Sequence, residues 1–136
     1  NIPLPAGCGD AEYLSVFDQI VVPAVRRFQP RFIFVSAGYD IHWADPIGMM
    51  QVTTTGCAQM VKLIKELAEE LCSGHLVLTL EGGYNPTALA TSVKATLDVL
   101  LGSANIEDPL GKSQRGFPTP SITPLIKEIK RIHALG

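Results

Sequence analysis

Phe34-Val35-Ser36-Ala37-Gly38-Tyr39-Asp40-Ile41-His42-Trp43-Ala44-Asp45-Pro46-Ile47-Gly48 is the stretch that decides the fold. A β-branched, apolar run stops abruptly at small residues. An aspartate follows, and then a second aspartate beside a proline. This is the pattern of a buried strand that delivers a carboxylate to its C-terminal end, where open α/β sheets place their sites. A second strand, Leu76–Leu80, ends in the same style at Glu81-Gly82-Gly83-Tyr84-Asn85 and brings a phenol and a glycine turn to the same edge.

Outward from these two strands the pattern becomes helical. Tyr13, Phe17, Ile20, Val21, Ala24 and Phe28 recur at three- and four-residue spacing and predict a helix capped by Asp10. Pro23 should kink or shorten it, and Gln29-Pro30 should end it. The first strand is predicted over 31–37 and is apolar on both faces from Phe32 to Val35, which suits a parallel strand covered by helices on both sides. Residues 40–51 read as a loop. Thr53 or Thr54 caps a helix whose face is Cys57, Met60, Val61, Ile64, Leu67, Ala68 and Leu71, closed by Gly74. Asn85-Pro86 starts another helix, with asparagine as cap and proline in the first turn, and its expected buried face is Leu89, Val93, Leu97 and Leu100. Residues 103–120 read as a surface loop. A C-terminal helix is expected within 121–136, from Thr123-Pro124 onward, with Leu125, Ile129 and Ile132 on one face.

The order helix, strand, helix, strand, helix, helix predicts an α/β fold with a parallel sheet. A chain of 136 residues fits one ordinary domain. Yet two strands, apolar on both faces and unpaired at their outer edges, need neighbours. The chain also begins at Asn1 rather than methionine, so the expectation is that part of the fold lies outside it. The net charge of -2, with 11 basic residues scattered or in short clusters, speaks against a nucleic-acid partner. Cys8, Cys57 and Cys72 form no Cys-x-x-Cys pair, so neither a zinc knuckle nor a disulfide framework is indicated. Cys57 and Cys72 fall on an apolar helical face and read as buried thiols, which suits a reducing, cytoplasmic compartment. The apolar runs are too short to span a bilayer and no signal-peptide pattern is present, so no membrane partner is expected.

Five stretches, in their order and spacing, carry a family resemblance. They are Asn1-Ile2-Pro3-Leu4-Pro5-Ala6-Gly7 with Gly9-Asp10-Ala11-Glu12-Tyr13, residues 35–48, Leu80-Glu81-Gly82-Gly83-Tyr84-Asn85, Asp108-Pro109-Leu110-Gly111, and residues 129–135. Together they resemble the C-terminal part of a bacterial-type histone deacetylase or acetylpolyamine amidohydrolase. The resemblance spans nearly the whole chain. It implies the C-terminal portion of an arginase/deacetylase-like three-layer α/β/α fold and a zinc-dependent hydrolase acting on acetyl-lysine or an acetylated amine such as an acetylpolyamine.

Carried over by position, Asp40 would be one of three protein ligands of Zn2+, and Tyr84 the phenol that hydrogen-bonds the oxyanion of the tetrahedral intermediate. Gly82 and Gly83 would form the turn that lines the acyl-lysine tunnel. The residue types suit the chemistry. A catalytic zinc takes three protein ligands and keeps an open position, and a phenol aimed at a developing oxyanion favours the transition state. The family takes its other two ligands and its paired histidines from a preceding segment. This chain has no Asp-x-His and no His-His pair. The resemblance therefore implies that the chain alone is inactive, holds zinc weakly at most, and self-associates through its uncovered faces.

The remaining polar residues near the motifs read more plainly. Asp45, before a proline, reads as a turn-former rather than a ligand. His42 reads as structural or as part of the tunnel rim, and Trp43 either lines the approach to the site or packs on the surface. His75 at a helix end and His133 in the last helix have no catalytic partner nearby in sequence. Two rival readings stand beside the deacetylase. One is a nucleotide-binding domain with Gly82-Gly83 at a helix N-terminus, though the chain lacks Gly-x-Gly-x-x-Gly and a P-loop lysine. The other is a non-catalytic α/β module that associates with another chain.

Overall fold

The structure, a computed structural model, describes residues 1–135. Its elements are α1 (Asp10–Val16), a π-helical turn (Phe17–Val21), α2 (Val22–Phe28), β1 (Ile33–Ala37), α3 (Thr54–Cys72), β2 (Leu76–Leu80), α4 (Pro86–Leu100) and α5 (Thr123–His133). The two strands pair in parallel, from Ile33 opposite Leu76 to Ala37 opposite Leu80. The fold is α/β, as the order of elements predicts.

The disturbance expected at Pro23 takes the form of the π-turn just ahead of it. Proline has no N–H to offer the preceding turn and its ring crowds the carbonyl four residues back, so the helix widens there and then continues. It ends at Phe28, where Gln29 adopts a left-handed φ of 53°. Asp10 does not cap this helix. Glu12 does so instead, its carboxylate accepting a hydrogen bond from the Gly9 N–H at 2.9 Å. The Asp10 carboxylate reaches across to α3 and takes the Thr53 N–H at 2.8 Å and the Thr53 hydroxyl at 2.6 Å. Thr53 in turn caps α3 by accepting from the Gly56 N–H. Strand β1 begins at Ile33 rather than residue 31, because the parallel ladder starts where Ile33 meets Leu76; ahead of it Phe32 meets His75 by ring stacking instead.

Three clusters make the core. Helices α3 and α4 meet through Ala58, Val61, Ala95 and Val99, against Leu78 of the sheet. Tyr39, Val52, Cys57 and Met60 form a second cluster with Tyr13, Phe17 and Ala37. Helix α5 closes a third, with Ile126 and Ile129 packed on Val16, Ile20 and Cys8. All three cysteines are free and buried.

Two helix faces differ from expectation. Helix α4 turns Ala88, Ser92, Ala95, Thr96 and Val99 inward, and Leu97 is left 54 % exposed. Close approach to α3 selects the small residues for the contact and rotates the larger ones toward its margins. In α5 the inward pair is Ile126 and Ile129, and Ile132 is 61 % exposed. The expected helix over 121–136 also includes Gly136, which lies outside the described residues.

Nor do helices cover both faces of β1 among the described residues. Its residues alternate between half-buried and exposed, and Phe34 is 75 % exposed. Phe32 stacks on Phe34 with ring centroids 4.5 Å apart. Of the described residues, no helix is long and apolar enough to cross a membrane.

Candidate functional site

Ala37 and Leu80 end their strands side by side, so the loops that follow emerge together. The backbone laces them. Glu81 N–H donates to the Ala37 carbonyl at 3.0 Å, and Tyr39 N–H to the Gly82 carbonyl at 2.9 Å. This brings Asp40 onto Gly82: a Cβ on Gly82 would stand 2.9 Å from the Asp40 carboxyl group. Gly83 has φ +133° and lies against Tyr39 and Leu89. Asp40, Gly82 and Gly83 are thus gathered at one place on the carboxyl edge of the sheet. Tyr84 follows at the head of α4 with its side chain 56 % exposed. Asn85 caps α4 by accepting from the Thr87 and Ala88 N–H groups, and its amide donates to the Ala44 carbonyl at 2.9 Å.

The two aspartates of the first loop are electrostatically unlike. Asp45 is 1 % exposed and accepts the N–H groups of Ile47 at 2.9 Å, Gly48 at 3.1 Å and Tyr84 at 2.6 Å. Burial pushes its pKa up, but the backbone amides of Tyr84, Gly48, Ile47 and Asn85 more than offset this and hold it below the ordinary carboxylate range. Its oxygens are committed. It does form the expected turn, and the Asp-Pro pair signalled that. The long-range bond to Tyr84 had no sequence signal. Asp40, by contrast, is half-buried and takes no hydrogen bond from any described residue, so its lone pairs are free.

His42 is fully buried. Its Nδ1 accepts from the Ala44 N–H at 3.1 Å, which leaves the proton of the neutral ring on Nε2, 3.3 Å from the Thr54 hydroxyl. Thr54 continues to Thr91 at 3.2 Å. Burial pushes the His42 pKa down, against the weaker pull of Asp108, Asp10 and Asp45. This ring is a structural member of the loop. Trp43 is tied down too, its Nε1 donating to the Gly111 carbonyl at 3.0 Å. Burial, with the nearby Cys8, Asp40 and Cys57, pushes the Tyr13 phenol up to about 12, so it stays neutral beside the site. His75 stacks on Phe32 at 5.7 Å, and the His133 carbonyl accepts from Arg27.

Among the described residues no three His, Cys, Asp or Glu side chains are grouped to hold a metal. Asp40 can offer one donor of the three that a catalytic zinc takes, and the set does not close within these residues.

These features define a class: a parallel α/β domain with its candidate site on loops at the carboxyl edge of adjacent strands. The particular family follows from comparison with known proteins. The histone deacetylase domain matches residues 1–100, and the chain belongs to the histone deacetylase family. It is 40 % identical to the chloroplastic histone deacetylase 14 of Arabidopsis thaliana, over 99 % of this chain and 32 % of that protein. A probable deacetylase of Archaeoglobus fulgidus is 36 % identical over 98 % of this chain and 40 % of its own length. The structure of the histone deacetylase Clr3 superposes with a TM-score of 0.80 at 31 % identity, over 98 % of this chain and 21 % of that one. The chain spans about a third of the length of that Arabidopsis protein and of the chloroplastic histone deacetylase 10 of Oryza sativa.

Proposed function

We propose that this chain supplies the carboxyl-terminal part of a zinc-dependent deacetylase domain that hydrolyses the amide bond of acetyl-lysine or of an acetylated amine such as an acetylpolyamine. Membership of the histone deacetylase family supports a deacetylase-type hydrolase. One observation carries the assignment of residues: the Asp40 carboxylate sits on Gly82 with its lone pairs unspent, at the edge where Tyr84 emerges.

In this reading Asp40 is one zinc ligand, and the other two come from parts of the family domain that this sequence does not include. When bound, the zinc supplies a Lewis acid for the amide carbonyl and lowers the pKa of a bound water. Tyr84 presents its phenol O–H to the developing oxyanion, and its exposure leaves it open to a substrate. Gly82 and Gly83 keep the loop free of side chains so that an acyl-lysine chain can pass. Alone, the chain neither turns over substrate nor holds zinc tightly.

The reading also includes self-association. Phe28 is 80 % exposed and Phe34 75 % exposed on one side of the molecule's helix–strand junction. Burying apolar surface stabilises by roughly 25 cal/mol per Å², and a two-fold dimer of this face is the simplest way to do so.

The test joins residues 1–136 to the preceding part of a family domain and measures hydrolysis of an acetyl-lysine peptide. Asp40→Asn and Tyr84→Phe should each lower kcat by roughly 100-fold, the scale of one lost transition-state donor or more. Unchanged kcat in both would overturn the assignment. Stoichiometric zinc binding at sub-micromolar affinity by the 136-residue chain alone would overturn the statement that it holds zinc only weakly.

A further inference from the structure

The Tyr84 ring is largely exposed, so packing does not determine where its phenol stands. Its backbone does. The Tyr84 N–H, just ahead of the Asn85 cap of α4, is donated to Asp45 Oδ2 at 2.6 Å, a charge-assisted bond across 39 residues of sequence. The other Asp45 oxygen collects the Ile47 and Gly48 amides and so folds its own turn around the carboxylate. The Tyr84 amide is therefore tied to the turn 45–48, between the bonds that hold Gly82 to Tyr39 and Asn85 to Ala44.

That turn is held from outside by the segment after α4. The guanidinium of Arg115 donates to the carbonyls of Asp45 and Gly48, the two ends of the turn. Arg115 is steadied by the Phe117 ring, 5.7 Å from its guanidinium carbon, and its own N–H is taken by the Ser113 hydroxyl. The rest of the segment is pinned to the same loop. Ser113 donates to Gln51, Trp43 donates to Gly111, and Asp108 accepts from Gly111 N–H and from Thr55. Residues 108–117 thus form a strap across the loop that carries Asp40.

The geometry points to Asp45 and Arg115 as a coupled pair of positioning residues: Arg115 fixes the turn, and the turn's carboxylate fixes the backbone of Tyr84 at the edge of the site. Neither touches a reacting atom. That the pair matters to catalysis rests on the reading of Tyr84 as the oxyanion donor; the brace itself does not.

Amide hydrogen exchange and the proton shift of the Tyr84 N–H, measured on the 136-residue chain, test the brace directly. In Asp45→Asn the Tyr84 amide should exchange about tenfold faster or more and its resonance should move upfield, the scale expected for one lost charge-assisted bond. Amides of Val35 and Leu78 should keep their rates. Arg115→Ala should give a smaller acceleration at the same amide, Arg115→Lys should restore it in part, and Arg115→Ala should add nothing in the Asp45→Asn background. If Asp45→Asn does not fold, the Arg115 pair decides alone, since Arg115 is half-buried on the surface. Tyr84 exchange unchanged by either substitution, or effects of the two that simply add, would overturn the coupling. In the joined domain described above, Arg115→Ala should lower kcat with KM unchanged. An unchanged kcat beside an inactive Tyr84→Phe would overturn the catalytic role of the brace. An active Tyr84→Phe would instead overturn the reading of Tyr84, while the exchange results still stand on their own.

Discussion

The Asp40 carboxylate lies against the backbone of Gly82, so close that a Cβ there would stand 2.9 Å from its carboxyl carbon. The closeness follows from the sheet. Ala37 pairs with Leu80, and the Tyr39 N–H to Gly82 carbonyl bond holds the two loops at that spacing.

Gly82→Ala should therefore turn the Asp40 side chain away while leaving the fold nearly intact, at a cost of about 1 kcal/mol. Gly83→Ala acts differently. Its φ of +133° disfavours any side chain, and a Cβ would meet Leu89 at 2.9 Å and Tyr39 at 3.3 Å. A loss of about 2 kcal/mol with Asp40 undisturbed is expected there. Urea denaturation measures the first quantity, and the Asp40 Cγ chemical shift reports the second. The reverse pattern would show that the two glycines do not divide their roles in this way.

Asp10 and Gly56 form another dependent pair. Asp10 clasps the start of α3 through Thr53, and a Cβ on Gly56 would lie 2.0 Å from Asp10 Oδ1. Asp10→Ala should cost about 2 kcal/mol, for two bonds to a charged acceptor at a helix start. Gly56→Ala should cost at least as much in the wild-type chain, yet little or nothing once Asp10 is alanine, because the clash has gone. Additive losses in a double-mutant cycle would contradict the contact.

The pH dependence has two windows. His42 is held neutral by burial, so its folded pKa lies below the unfolded value of 6.5. The unfolded chain then binds the proton first, and stability should fall as pH drops below about 6.5 toward the folded pKa. Asp45 is depressed from 3.8, so its contribution persists above that value and is lost at lower pH, as its folded form protonates. Denaturation midpoints between pH 7 and pH 5 should fall in the wild-type chain and flatten in His42→Gln, whatever that variant's absolute stability. A slope unchanged by the substitution would assign the effect to other groups.

Self-association should depend on the bare side of β1. Phe34→Ser and Phe28→Ser should each shift the sedimentation profile toward monomer at micromolar concentration, with the unfolding midpoint little changed, because both rings are already solvated in the single chain. A wild-type chain that sediments as a monomer under these conditions would remove the need for a partner on that face.

The contrast between what was legible in sequence and what was not is physical. Period-two and period-3.6 patterns, Gly and Pro positions and caps are local, so the sequence alone determined the order of elements, the strand Leu76–Leu80, the cap at Asn85, and the loops that carry Asp40 and Tyr84, while it left the α3 cap between Thr53 and Thr54 and the structure selects Thr53. The disturbance at Pro23 was foreseeable because it arises from one residue's missing N–H. Which side of a helix faces inward was less so. Leu97 and Ile132 fit a helical stripe equally well, and only the closeness of α3 to α4, and of α5 to the π-turn, decided that they stay outside. Long-range polar bonds were invisible altogether. Nothing near Asp10 announces Thr53, nothing near Asp45 announces Tyr84, and nothing in the residues 108–117 announces that Arg115 grips the turn at Asp45. Such bonds join groups dozens of residues apart, and their partners are set by where the packed strands and helices leave the loops, which only the tertiary structure decides.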